Sequence, residues 1–377
     1  MSSRRSGNVA GSGMKHPLMG ADLATLVRAL ARGGAPSREG RALVAAALGS
    51  AIGRLPFSLA ERGWTALRTR ADSAPAPVFI VGHWRSGTTH LYNVLSRDPR
   101  FGYVTPLATG MPWDFLFLGG LLRPLLERLV PSERLIDRVA VTPDAPQEDE
   151  IALASMQTLS FYHGIYFPRR IEEWFDRGVF FDGASEAEIA RWCVRMRHFM
   201  AKLERAQPER RQLVKNPVYT ARIALLRSLW PEARFIHIHR NPYVVFQSTR
   251  NFYRKLLPAL SLQHHDAVDI DELVLSRYPR MMQRLVDDWA ELPPERAIEL
   301  RFEAFEREPL AETERIYRTL GLEGFDAARP AFEDYLATVD DYRKNRYTFA
   351  RADLDRVEER WWPFIERWGY ERPDAND

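Results

Sequence analysis

Val78-Phe79-Ile80-Val81-Gly82-His83-Trp84-Arg85-Ser86-Gly87-Thr88-Thr89 sets a strand, a turn and a helix in succession. Four consecutive apolar residues predict a short strand covered on both faces. The Ala74-Pro75-Ala76-Pro77 break delivers the chain into it. Gly82 and Gly87 let the backbone curl, and a helix is expected from Thr88 to Leu95. A helix that starts this way presents free N–H groups and the positive end of its dipole, which together suit an anion. A plain Ser/Thr-capped turn is the other reading of these residues.

Similar alternation recurs downstream. Arg211–Lys215 and Arg234–His239 read as strands, with a helix over Thr220–Leu229 after the first and one from Pro242 after the second. Phe101–Thr105 and Ala297–Phe302 are further strand candidates, and a helix follows the latter at Ala311–Leu320. Leu116–Val139, Glu148–Phe161 and Glu186–Glu204 read as helices, the last with Ser185 as N-cap. Strands alternating with helices predict an α/β fold, P-loop-like and three-layered, with a central, mostly parallel sheet and helical insertions. Right-handed crossovers put the strand C-termini on one edge, where ligands bind. Three such ends carry Gly82–Thr89, Lys215-Asn216 and His239-Arg240.

The first turn has the spacing Gly-x4-Gly-x-Thr, that of a P-loop with Thr88 in place of lysine. Arg85 can restore the missing charge in a planar fork suited to oxyanions. Ser86, Thr88 and Thr89 add hydroxyls. A P-loop kinase also needs an acid to hold Mg²⁺. The strands ending at Lys215 and Arg240 offer bases instead, and Glu303 is the one tempting strand-end acid. No metal site is expected.

These residues resemble the sulfotransferases. Arg85-Ser86-Gly87-Thr88-Thr89 is similar to their 5′-phosphosulfate loop. Phe235-Ile236-His237-Ile238-His239-Arg240-Asn241-Pro242, with Ser248 eight residues beyond the arginine, is similar to their 3′-phosphate motif. The resemblance covers roughly residues 75–350 and is nearest to a bacterial branch with Arg before Ser-Gly-Thr-Thr. It implies transfer of a sulfuryl group from 3′-phosphoadenosine-5′-phosphosulfate (PAPS) to a hydroxyl or amine of a carbohydrate, lipid or small molecule. It implies PAPS contacts from Arg85, Ser86, Gly87, Thr88, Thr89, Arg240 and Ser248. Lys344 and Asn345 are assigned there as a closing basic loop, with a solvated charge run as the other reading. In-line transfer needs a base for the acceptor proton and positive charge on the departing oxygen. Arg85 and Lys215 are the candidates for the charge. Part of the family has a histidine two residues after this lysine, where Pro217 stands here. Other branches use a glutamate, which points to Glu148 in Pro146-Gln147-Glu148-Asp149-Glu150, then Glu150. First-turn acids that stabilise a helix dipole are the competing reading. His83 is a further candidate. A nucleotide kinase and a non-catalytic nucleotide binder are the alternatives to the sulfotransferase.

Composition sets the outer limits. The 377 residues carry a net charge of +3, which gives no reason to invoke nucleic acid. Of the 53 basic residues 48 are arginine, so lysines such as Lys215 and Lys344 stand out. One cysteine, Cys193, excludes an intramolecular disulfide and fits a reducing, cytoplasmic compartment. The chain is expected to divide into a disordered tail (1–18), a helical segment (19–74) and a main domain (75–377). Within that domain an acceptor-side insertion runs over about 106–210, and its aromatics are expected to cover the acceptor. Ala42–Ile52 and Phe115–Leu122, the longest apolar runs, fall short of the ~20 residues a spanning helix needs. They read as buried helix faces, with peripheral membrane contact as the other reading. Oligomeric state is not legible.

Overall fold

The computed structural model describes residues 16–67, 75–121, 145–339 and 347–375. Two N-terminal helices, α1 (Leu23–Gly33) and α2 (Arg38–Ala66), precede β1 (Val78–Val81) and α3 (Thr88–Leu95). The short β2 (Phe101–Gly102) comes next. β3 (Arg211–Lys215), β4 (Arg234–His239) and β5 (Ala297–Arg301) complete a five-stranded sheet of order β2-β3-β1-β4-β5. Every pairing is parallel, with Phe79 opposite both Val214 and Phe235.

The pleat explains the three layers. Phe79, Val81, Val214 and Phe235 point into one core, where Phe79 meets Tyr219 and Trp230. Val78, Ile80, Leu213, Ile236 and Ile238 point into a second core on the opposite face, with Leu91, Leu95, Tyr317 and Phe332. β1 is buried on both faces, as its unbroken apolar run requires. The chain steps from β1 outward to β2 and β3, then across β1 to β4. The reversal places the C-termini of β3, β1 and β4 side by side, the crevice in which such sheets bind ligands.

Several element boundaries differ from expectation. The Phe101–Thr105 strand stops at Gly102, because Thr105 caps a short helix opened by Pro106 (Ala108 N to Oγ1, 3.3 Å). The Glu148–Phe161 helix runs only from Glu150 to Met156 and ends where Gln157 turns extended. Thr220–Leu229 begins as a 3₁₀ turn over Pro217–Ala221, with the helix proper at Ile223–Leu229. Glu186–Ala206 has its N-terminus closed by a reciprocal Ser185–Glu188 capping box. Beyond Leu121, the Leu116–Val139 reading lies outside the described residues.

The aromatics of the 106–210 segment are mostly core residues. Trp113, Phe115, Phe161, Tyr162, Tyr166, Phe167, Trp174 and Phe175 are all buried in the first core. Phe161 meets Tyr162 and Phe175, and Phe167 stacks on Trp174, while Phe117 is exposed.

Candidate active site

The turn after β1 is built from unusual backbone. Gly82 (φ 150°), Arg85 (φ 71°) and Gly87 (φ 99°) all sit at positive φ. A side chain at Gly87 would collide with the Phe302 ring, and one at Gly82 with the Ile238 carbonyl. The turn is fixed from below by Gly82 N donating to Thr220 Oγ1 at 2.9 Å. Among the described residues no side chain caps α3, so its first amides face the crevice end of the helix. Ser86 Oγ is buried with no hydrogen-bond partner among the described residues. Such a group calls for a ligand acceptor.

The end of β4 supplies the second part. Asn241 caps the helix Pro242–Leu260 (Tyr243 N to Oδ1, 3.0 Å), with Pro242 at its first position. Two turns on, Ser248 Oγ accepts from Arg85 Nε at 2.9 Å and from the Tyr347 hydroxyl at 2.9 Å. Arg240 reaches the Arg85 carbonyl at 3.4 Å and lies over the Phe302 ring, 4.4 Å from its centre. Burial lowers the Arg240 pKa, and the Arg85 charge adds to the effect, while Tyr347 and Glu303 oppose it. An anion between the two guanidiniums would relieve that penalty. Lys344 and Asn345 lie outside the described residues.

The third strand end carries the acids. Lys215, almost fully buried, donates to Thr89 Oγ1 at 3.2 Å and pairs with Glu148. Asn216 Nδ2 donates to Asp149 Oδ1 (2.9 Å) and Glu150 Oε2 (3.0 Å), and the Tyr219 hydroxyl donates to Asp149. Burial pushes the Asp149 carboxyl up to about 7, with nearby Glu150 adding and the Tyr219 and Asn216 hydrogen bonds opposing. Burial raises Glu150 as well. Of the three consecutive acids only Glu148 reaches solvent, its side chain 21% exposed, while Asp149 and Glu150 are sealed.

The geometry thus separates the candidates for the base. Glu148 stands at the crevice beside Thr89, and Glu150 sits beneath it in the hydrogen-bonded floor. His83 is turned inward. Its Nδ1 contacts the Trp84 carbonyl (2.9 Å), its ring packs on Tyr278 (centroids 4.9 Å apart), and burial lowers its pKa to about 4. His83 is thus a buried ring held at the start of the turn, whereas the Glu148 side chain reaches solvent. Glu303 is engaged too: it accepts from Asn241 N (3.0 Å) and the Tyr370 hydroxyl (3.1 Å), so it braces the Arg240 segment. Among the described residues no group of three or more His, Cys, Asp or Glu is placed to hold a metal ion.

Sequence reasoning missed Asp149, Tyr219 and Tyr347 as parts of this site. Asp149 and Tyr219 lie 70 residues apart and meet only through tertiary packing. Two cavities, of about 460 and 350 Å³, lie at the opposite, N-terminal edge of the sheet and contain none of these residues.

One sheet edge thus gathers two arginines, a lysine-paired carboxylate and the N-terminus of α3, an arrangement suited to an anionic group. Comparison with known proteins makes the assignment specific. Residues 77–327 match the profile of the Sulfotransferase family, and the chain belongs to that family. It is 33% identical over 302 residues to an omega-hydroxy-beta-dihydromenaquinone-9 sulfotransferase, Stf3, of Mycobacterium bovis. The alignment covers 79% of this chain and 76% of the relative, and the Mycobacterium tuberculosis protein matches equally. The fold is that of sulfotransferase STF9 from Mycobacterium avium (TM-score 0.70, 18% identity, 98% of this chain and 99% of that one). Sulfotransferase STF1 from Mycobacterium tuberculosis is also similar (TM-score 0.63, 17% identity, 90% of each chain). The chain is therefore an enzyme of sulfuryl transfer, and the kinase reading is set aside.

Proposed function

We propose that the enzyme transfers the sulfuryl group of PAPS to a hydroxyl on an apolar, lipid-type acceptor, with Glu148 as the base. The observation that carries this is the Glu148–Lys215–Thr89 contact, which sets a solvent-reaching carboxylate against the phosphate-binding turn. The turn fits the donor: the uncapped start of α3, the unpartnered Ser86 Oγ and the amides of Gly87–Thr89 suit the 5′-phosphosulfate. Arg240 and Ser248 suit the 3′-phosphate, and Arg85 bridges the two regions. PAPS supplies the activated sulfuryl group, and this chain's own residues orient it and move one proton. Glu148 takes the acceptor proton, while Lys215 and Arg85 hold charge where the bisphosphate departs. No metal is assigned a role. The catalytic unit is assigned to 75–377 and the compartment to the cytoplasm.

The lipid-type acceptor is favoured by the menaquinone derivative in the relative's name. A labelled-PAPS assay against quinol, glycolipid and carbohydrate acceptors tests the reading. Label is expected on a hydroxylated isoprenoid or quinol lipid. Label confined to carbohydrate would overturn the acceptor class, and no label on any acceptor would favour a non-catalytic binder.

A further inference from the structure

We propose that the outer face of α2 is a docking surface for an anionic lipid bilayer, on which the enzyme rests while it takes its acceptor. The delivery of an acceptor rests on the lipid reading above, but the surface is argued from α2 itself. The expected buried face of Ala42–Ile52 is present, with Ala47 and Ala51 in the core and Leu43, Val44 and Leu48 packed against it, but the opposite face, which carries Ala42, Ala45, Ala46, Gly49 and Ile52, is apolar and exposed as well. Ile52, Leu55, Phe57, Leu59 and Leu67 are between 41% and 87% exposed. From Ala42 to Leu67 no exposed position carries a charged or hydrogen-bonding side chain. An 18-residue window of this helix has a mean hydropathy of 1.5 and is only 22% buried.

The charged residues of this stretch point the other way. Arg54 pairs with Asp114 (2.7 Å) and donates to the Met19 and Ala21 carbonyls (2.9 and 2.8 Å). Glu61, fully buried, pairs with Lys202 (2.6 Å), and Arg62 pairs with Asp22 (2.7 Å). A helix facing water has the reverse arrangement. Phe117 and Leu121 extend the apolar surface, with Phe117 edge-on to Trp64 (centroids 5.5 Å apart). Exposed Arg38 and Arg41 stand at the N-terminal end of α2 with a single exposed acid, Glu39, between them, and Arg28 is exposed on α1. An apolar strip with a basic rim complements an anionic headgroup layer.

By length α2 could cross a membrane. Crossing would pull Arg54, Glu61 and Arg62 from their partners into hydrocarbon, so the helix lies along the surface. The layer is also fastened to the catalytic region. Trp113 Nε1 and Asp22 N both donate to the Ser155 carbonyl (3.1 and 3.4 Å), on the helix Glu150–Met156 that begins at the acid cluster. A bilayer against α2 would thus adjoin the acceptor side of the crevice.

Flotation of the full chain with vesicles tests this, using phosphatidylcholine alone and phosphatidylcholine with phosphatidylglycerol. The wild-type chain is expected to float, more strongly with phosphatidylglycerol. Ile52→Glu/Leu59→Glu, at exposed positions, is expected to weaken partitioning about tenfold or more. It should leave the melting temperature and the affinity for adenosine 3′,5′-bisphosphate unchanged. Arg38→Glu/Arg41→Glu is expected to remove the preference for phosphatidylglycerol. A wild-type chain that stays soluble with both vesicles overturns the proposal, as does a double variant that floats equally well. A wild-type dimer that Ile52→Glu/Leu59→Glu converts to monomer, without vesicle binding, would assign the face to a second copy. Loss of bisphosphate binding in every form would instead contradict the PAPS reading, whatever the flotation shows.

Discussion

Glu148 and its two neighbours show how three consecutive carboxylates come to have different work. Burial and hydrogen bonds commit Asp149 and Glu150 to the floor beneath Asn216, so only Glu148 meets the crevice. Glu148→Gln is expected to abolish sulfuryl transfer, a loss of about a hundredfold or more for a missing base. Calorimetry should find adenosine 3′,5′-bisphosphate bound as in the wild type, and retained turnover would remove Glu148 from the role. The acids were legible as a cluster, because Pro146-Gln147-Glu148-Asp149-Glu150 is conspicuous in the chain. Their division of labour was not, since it depends on Asn216 and Tyr219, some 70 residues away. The burial of His83 was not legible either, because a residue's place in a turn does not say whether its ring packs inward.

At the scale of elements, the β1–α3 unit was the most legible part. Its strand and helix fall at Val78–Val81 and Thr88–Leu95, as the apolar run and the glycines dictate. The lone helix turn at Pro217–Ala221 was not legible, because Asn216 competes for the local backbone through its hydrogen bond to Val218 N (3.0 Å). Nor was the environment of α2, whose apolar stretch reads alike whether its partner is a core or a bilayer. The β1–α3 turn makes its own prediction. Gly87 combines φ 99° with a close approach to Phe302. Gly87→Ala is expected to destabilise the fold by about 1–3 kcal/mol through the strained backbone alone. It should also weaken bisphosphate binding, and thermal melting with titration would read both. A variant as stable as the wild type with unchanged affinity would show that the turn does not need this glycine.

Over the whole molecule, buried histidines set the response to acid. Burial lowers His83 and His163 to about 4 and His239 to about 3, against 6.5 when unfolded. Below pH 6.5 the unfolded chain binds protons that the folded chain refuses, so stability falls as pH drops from 6.5 toward 4. Asp149 works in the opposite sense. Its folded value of about 7 lies above the unfolded 3.8, so its contribution improves as pH falls through the same window. His16 and His198 are lowered too, and Glu150 and Asp114 are raised with Asp149; the histidines are the larger set, and the melting temperature is expected to drop between pH 7 and pH 5. A flat profile would contradict the buried, neutral state of these rings. The central claim, that three strand ends form a PAPS site, has a more direct test. Calorimetric titration with adenosine 3′,5′-bisphosphate, set against ATP with Mg²⁺, isolates the 3′-phosphate that Arg240 and Ser248 would hold. Charge-assisted hydrogen bonds contribute about 1.5–3 kcal/mol each, so the bisphosphate is expected to bind at least about tenfold tighter. Tighter binding of ATP with Mg²⁺ would contradict the account.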